Sequence, residues 1–103
     1  MAAFETFNPA YTQGVTVAPA AVSAYTANMG LNSKSLCLTN IGTVICYVRT
    51  FKLADGVKTA TTADYPVPFG QVTITKAEDH DAIAYIVVGG VAGSLHIIPG
   101  EGF

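Results

Sequence analysis

Gly, Pro and Thr recur every few residues along this chain, and no long stretch between them carries apolar residues at helical spacing. Turn-formers at that density leave room only for short strands, so the expected class is all-β. Candidate strands are 14–18 (GVTVA), 21–27 (AVSAYTA), 34–40 (KSLCLTN), 43–51 (TVICYVRTF), 57–61 (VKTAT), 71–76 (QVTITK), 82–88 (AIAYIVV) and 94–98 (SLHII). The separators have turn chemistry of their own: residues 28–32, Asn40-Ile41-Gly42, Asp55-Gly56, residues 66–70, and Gly89-Gly90 followed by Gly93. About eight short strands so spaced fit an antiparallel β-sandwich, jelly-roll-like, or a small barrel. In DYPVPFG, Pro66 and Pro68 fix two φ angles and make a stiff extended lead into the strand that starts at Gln71.

Residues 1–13, with Pro9 and the isolated aromatics Phe4, Phe7 and Tyr11, match no strand pattern and are expected to form an irregular N-terminal arm. The remaining span, 14–103, is expected to be a single β-sandwich domain. A chain of 103 residues has room for one core. No repeat, linker or low-complexity tract divides it.

Residues 36–48 (LCLTNIGTVICYV) raise a question of burial. With a two-residue Ile41-Gly42 loop, paired numbers sum to 83, which puts Leu36 beside Tyr47, Leu38 beside Ile45 and Cys37 beside Cys46. A three-residue loop with Gly42 at the left-handed position changes the sum to 82. Neither register makes a face polar, and AIAYIVV is apolar on both faces as well. A sandwich core uses one face of each sheet. The second face therefore calls for a cover, either another subunit or the arm folded back.

Charge narrows the partners. The formal net charge is -2, the pI about 5.4, and charged residues make up 12% of the chain against roughly 25% in an ordinary soluble domain. No basic excess exists for nucleic acid or an anionic membrane surface. Mean hydropathy is +0.43, yet no segment approaches the roughly 18 consecutive apolar residues of a spanning helix. MAAFETFNPAYTQG has neither a basic n-region nor an unbroken apolar h-region, so synthesis in the cytosol is expected. There, Cys37 and Cys46 stay reduced as small buried hydrophobes, although the 83 register makes a disulfide geometrically feasible.

Chemistry finds few parts. Lys76–Asp81 (KAEDHD) offers oxygen and imidazole ligands but lacks the spaced ligands and glycine of a calcium loop, and reads as a solvated turn. His96 lies in SLHII among apolar neighbours with no nucleophile motif nearby, and no G-x-S-x-G, Walker loop or dinucleotide fingerprint occurs. The expectation is no enzyme, no cofactor and no metal. The tyrosines, without any Trp, admit a carbohydrate-binding module that combines Tyr platforms with the acidic loop at Glu78–Asp81.

LTNIGTVICYVRTF, then DYPVPFGQVTI, then the terminal LHIIPGEGF together resemble a pattern of small structural virion proteins of tailed bacteriophages: T-N-x-G-[ST] ending one strand, Y-V-R in the next, and a P-G-E-G close. The resemblance covers about residues 34–103. It implies a β-sandwich structural subunit, most naturally a capsid decoration (cement) protein bound to a major capsid protein or other virion proteins, with a neck, tail or fibre-base component as the alternative. A virion location after assembly in the host cytoplasm follows from it, as does a homo-oligomer, dimer or trimer. Candidate contact residues are Phe4, Phe7 and Tyr11 of the arm and Ile45, Tyr47, Arg49 and Phe51 of the 43–51 strand.

Overall fold

Short apolar-rich runs at residues 35–40 and 95–101 build the centre of one sheet, and those at 46–51 and 82–87 build the centre of another. The computed structural model describes residues 8–10, 13–28, 34–89 and 91–101. Among these the strands are β1 (Asn8–Pro9), β2 (Val15–Val17), β3 (Ala24–Ala27), β4 (Ser35–Asn40), β5 (Cys46–Phe51), β6 (Tyr65–Val67), β7 (Gly70–Thr75), β8 (Ala82–Val87) and β9 (Leu95–Glu101), with one 3₁₀ turn at Leu53–Asp55.

Every pairing is antiparallel. One sheet runs β1-β9-β4-β7, with β2 pairing the same edge of β9 as β1, and the other runs β3-β8-β5-β6. If β1 and β2 are counted as one interrupted strand, each sheet has four positions and the chain crosses between them at every step except β5 to β6, in the order of a jelly roll, so the all-β sandwich expected from sequence is the fold observed. The interruption has a cause. Pro99 accepts from the Ala10 N–H at 2.8 Å, so its own nitrogen, which has no hydrogen, faces the same side, and there the partner strand breaks between β1 and β2.

The core lies between the sheets. Leu36, Leu38, Leu95 and Ile97 from the first meet Val48, Ile83, Tyr85 and Val87 from the second, and Val67 and Cys46 complete the layer. Each large side chain so enclosed contributes about 1.5–3 kcal/mol relative to exposure. The Tyr85 hydroxyl, inside this layer, is satisfied by Thr26 Oγ1 at 2.6 Å.

The expected hairpin of residues 36–48 does not form. β4 pairs with β7 and β9, β5 pairs with β6 and β8, and Cys37 and Cys46 stand in opposite sheets as free thiols. The physical reason is Asn40, which is 1% exposed. Its amide donates to the carbonyls of Val44 (2.9 Å) and Val67 (2.7 Å), and its Oδ1 accepts from the Gly42 N–H (2.9 Å). Residues 41–45 are thereby held as a corner between sheets, with Ile41 N–H bonded to Ser94 O at 3.0 Å.

The second apolar face also has an unexpected cover. On the outside of the β3-β8-β5-β6 sheet, Phe51, Ala82 and Ala84 pack with Ala60, and Leu53 and Ile86 lie against them. The covering segment is the protein's own 52–64 connection, pinned where the Ala60 N–H meets Ser23 Oγ at 2.8 Å. Residues 57–61, expected as a strand, serve instead as this lid, in which Ala60 alone points inward. The outer face of the other sheet is largely polar: Thr16, His96, Thr39 and Gln71 form one row across it, and Cys37 lies between Ile98 and Thr73 in the next. Residues 65–67, expected only as an extended lead, pair with β5; Pro66 is tolerated because β6 is an edge strand.

Asn40→Ala removes the three bonds of the corner and strands two carbonyls, so a loss of about 3 kcal/mol is expected, seen as a fall of roughly 10 °C or more in Tm. Thr43→Ala, exposed on the same connection, is expected to change stability by less than about 0.5 kcal/mol. Calorimetry or urea unfolding of both variants checks the pair.

Candidate functional site

The strand order fixes which connections meet. Segments 18–23, 41–45, 68–69 and 88–94 gather at one pole of the sandwich, and hydrogen bonds tie them together: Gly93 N–H to Pro19 O (2.8 Å), Val87 N–H to Ala20 O (3.0 Å), Ile41 N–H to Ser94 O, and the Asn40 amide between Val44 and Val67. Gly42 must be glycine here, since a Cβ would come within 2.8 Å of the Ser94 nitrogen.

None of these four segments contains Asp, Glu, Lys, Arg or His. What they present instead is apolar: Val22 is 79% exposed, Phe69 77%, Val88 59%, Ile41 58%, Val91 57% and Ile45 46%. Scattered exposed hydrophobes are ordinary, but their concentration on converging, uncharged loops is the signature of a contact surface.

Charge collects at the opposite pole. Lys76 N–H bonds to Lys34 O at 2.9 Å, Lys76 Nζ reaches His80 O at 2.7 Å, and Asp81 Oδ1 accepts from Leu53 N–H at 3.0 Å. Lys52 and Asp79 form an exposed ion pair at 3.9 Å, worth little in itself. His80 Nδ1 and Thr50 Oγ1 share a 2.9 Å bond. The KAEDHD turn thus ties the 76–81 connection to β5 and the 52–64 segment. Partial burial lowers the Lys76 pKa from its ordinary value, against the pull of Glu101, Asp79, Asp81 and Glu78. Among the described residues no group of three His, Cys, Asp or Glu side chains is placed to hold a metal ion.

A cleft of about 640 Å³ opens where β6 stops at Tyr65, between Arg49 and Thr50 of β5 and Thr73–Thr75 of β7, with Asp64 also lining it. Its lining offers hydroxyls, one guanidinium and one carboxylate, suited to hydrogen bonding but holding neither thiol nor imidazole.

Of the residues singled out from sequence, Ile45 falls on the apolar pole. Tyr47 and Arg49 lie on the outer face of the second sheet, half-buried and exposed respectively, and Phe51, on the same face, is 3% exposed beneath the 52–64 lid. Phe4, Phe7 and Tyr11 lie outside the described residues. Among the described residues the tyrosines do not assemble into a sugar platform: Tyr85 is in the core, Tyr25 sits edge-on to Phe51 (5.9 Å between centroids) beside β8, and Tyr65 lines the cleft at the other edge. The acidic residues 78–81 are at the far pole from the apolar loops.

Sequence reasoning missed Val22, Ile41, Phe69, Val88 and Val91. The available signal was that turns of the chain alternate between uncharged apolar and charged segments, but only the strand order shows that the uncharged ones share a pole.

The two thiols are enclosed. Cys37 is 6% exposed and accepts from Gln71 Nε2 at 3.1 Å, while Cys46 is 1% exposed in the core. Burial pushes the Cys46 thiol up to about 11, an effect only partly offset by a hydrogen bond with the backbone of Ile86.

No protein-family model and no curated protein matches this chain. Among solved structures it is similar to a subunit of Bacillus endospore appendages, described as a novel family of disulfide-linked pili, with a TM-score of 0.53, 11% identity, and coverage of 97% of this chain and 89% of that one. It is also similar to PirA, with a TM-score of 0.45 and 18% identity over 96% and 95% of the two chains. At these identities the first likeness establishes the fold. The capsid-decoration function expected from sequence is overturned with it. The similar solved fold is that of an appendage subunit, and the apolar sheet face for which another subunit or the arm was expected as a cover is closed by the chain's own residues 52–64. The carbohydrate-binding alternative finds no support in the tyrosines among the described residues, which are dispersed.

Cys46 is expected to resist alkylation in the native protein at pH 8 and to react fully once the chain is unfolded, as mass spectrometry after iodoacetamide treatment would show. Its folded pKa lies above the ordinary 9.0, so its contribution to stability is present below pH 9 and declines as pH rises from 9 towards 11. A Tm that falls over this window in the wild type, and falls less in Cys46→Ala, checks the sign.

Proposed function

We propose that this protein is a structural subunit that assembles with copies of itself into a pilus- or appendage-type polymer, held by burial of apolar surface and not by chemistry at a site. The observation that carries this reading is the charge-free pole: four interlocked loops expose six large apolar side chains while the charges gather elsewhere. A surface of that composition has little use in isolation and is stabilised by contact with another apolar surface. The fold likeness to an endospore appendage subunit supports a repeating assembly over a capsid fitting.

The appendages in that comparison are described as disulfide-linked. Here Cys37 and Cys46 are buried in opposite sheets, so the polymer is non-covalent as far as these thiols are concerned. Denaturing gels without reductant are expected to show the monomer, and a ladder that collapses on reduction would contradict this.

Phe69→Asp and Val91→Asp place a carboxylate on the pole without disturbing the core, so their Tm should lie within about 3 °C of the wild type. Sedimentation at increasing concentration is expected to show large species for the wild type and weakened association for both variants, by at least about tenfold each. A wild-type chain that stays monomeric at millimolar concentration overturns the proposed function.

A further inference from the structure

The chain enters the sandwich at the pole opposite the apolar loops. Asn8 pairs with Glu101 and Pro9 with Gly100, at the end of β9 where Glu101 acts on Lys76, whereas Val17 pairs with Leu95, at the level where the apolar loops begin. Ahead of Asn8 stand residues 1–7, Met-Ala-Ala-Phe-Glu-Thr-Phe, with two phenylalanines in seven residues and a single charge. Residues 1–7 therefore join the sandwich at one pole, where Asn8 pairs with Glu101, and the other pole presents an uncharged apolar surface.

We infer that residues 1–7 of one copy dock on the apolar pole of the next, with Phe4 and Phe7 entering among Val22, Ile41, Phe69 and Val91. This deepens the proposed assembly and rests on it. Length favours the neighbour over the protein's own pole. Seven extended residues span at most about 25 Å. To cover its own loops the segment would have to reverse at Asn8 and run back along six residue steps of β9, about 20 Å, before it reached the first of them. A neighbour stacked below needs no reversal. Composition points the same way. The uncharged pole has no group to pair with the Lys- and Asp-bearing end of another copy, whereas the two aromatic side chains fit it provided that Glu5, the one charged side chain of the segment, stays in solvent. A contact of this kind joins two different surfaces, so it is heterologous and propagates head to tail, as a filament requires.

The test uses two full-length variants with opposite defects. Phe4→Asp/Phe7→Asp keeps the receiving pole and loses the donor; Phe69→Asp/Val91→Asp keeps the donor and loses the receiver. Each alone is expected to sediment as a monomer with an unchanged Tm. Mixed in equal amounts they are expected to form a 1:1 dimer that grows no further, because one good donor meets one good receiver and the remaining ends are blocked. If the donor variant still polymerises like the wild type, the inference is overturned while the assembly reading stands. The same holds if the donor variant forms dimers alone, which would mean that two apolar poles meet each other. A monomeric wild type overturns the assembly reading itself. A Phe4→Cys/Val91→Cys variant adds a second readout: oxidation is expected to yield intermolecular disulfides, and a purely intramolecular bridge overturns the inference.

Discussion

A single buried carboxamide directs the chain from one sheet to the other. Left to local rules, LCLTNIGTVICYV would close as a hairpin, because an Asn-x-Gly step between two apolar runs is a strong turn signal. Asn40 instead turns inward and uses both ends of its amide, donating to Val44 and Val67 and accepting from Gly42. An unmade hydrogen bond at a buried site costs more than a made one returns, so this side chain permits only the backbone path that satisfies it. Once β5 is sent across, β4 must find its partners in β7 and β9, and the nesting of the remaining strands follows.

That nesting sorts turn chemistry in space. Consecutive strands run in opposite senses, whether their connection crosses between sheets or, as from β5 to β6, stays within one, so successive connections fall at alternate poles. In this chain the connections at 18–23, 41–45, 68–69 and 88–94 are uncharged and apolar, and those at 52–64 and 76–81 carry Lys, Asp and Glu. A linear alternation becomes a molecule with two unlike ends. Low overall charge is thus not spread evenly over the surface; it is a consequence of leaving one whole pole without any.

Strand existence was legible wherever a short apolar-rich run lay between turn-formers: 34–40, 71–76, 82–88 and 94–98 overlap β4, β7, β8 and β9 in turn. Partner choice was not, because pairing depends on where Asn40 points, and no local pattern reports that. A second cover is found only over the β3-β8-β5-β6 sheet, and it is neither another subunit nor the N-terminal arm, the two covers expected from sequence. Residues 57–61 hide the answer, since a lid that contributes one buried alanine among exposed polar neighbours leaves no periodic trace. Ile45 was the one sequence candidate on the apolar pole; Val22, Phe69 and Val91 are each isolated apolar residues in turns, and they acquire meaning only when the fold brings them together.

An apolar surface gives affinity cheaply but discriminates poorly, since any greasy partner gains from it. What makes this pole selective is rigidity. Its loops are bonded to one another through Ile41 and Ser94, Gly93 and Pro19, and Val87 and Ala20, and Gly42 lets two of them approach closer than any side chain would permit. A receiver fixed in this way loses little conformational freedom on binding, so the ordering cost falls mainly on the segment that docks. Ordering residues 1–7 costs backbone freedom, and in the proposed contact the burial of two phenylalanines offsets it. The same corner that sends β5 into the second sheet therefore also holds the surface on which a neighbouring copy would rest.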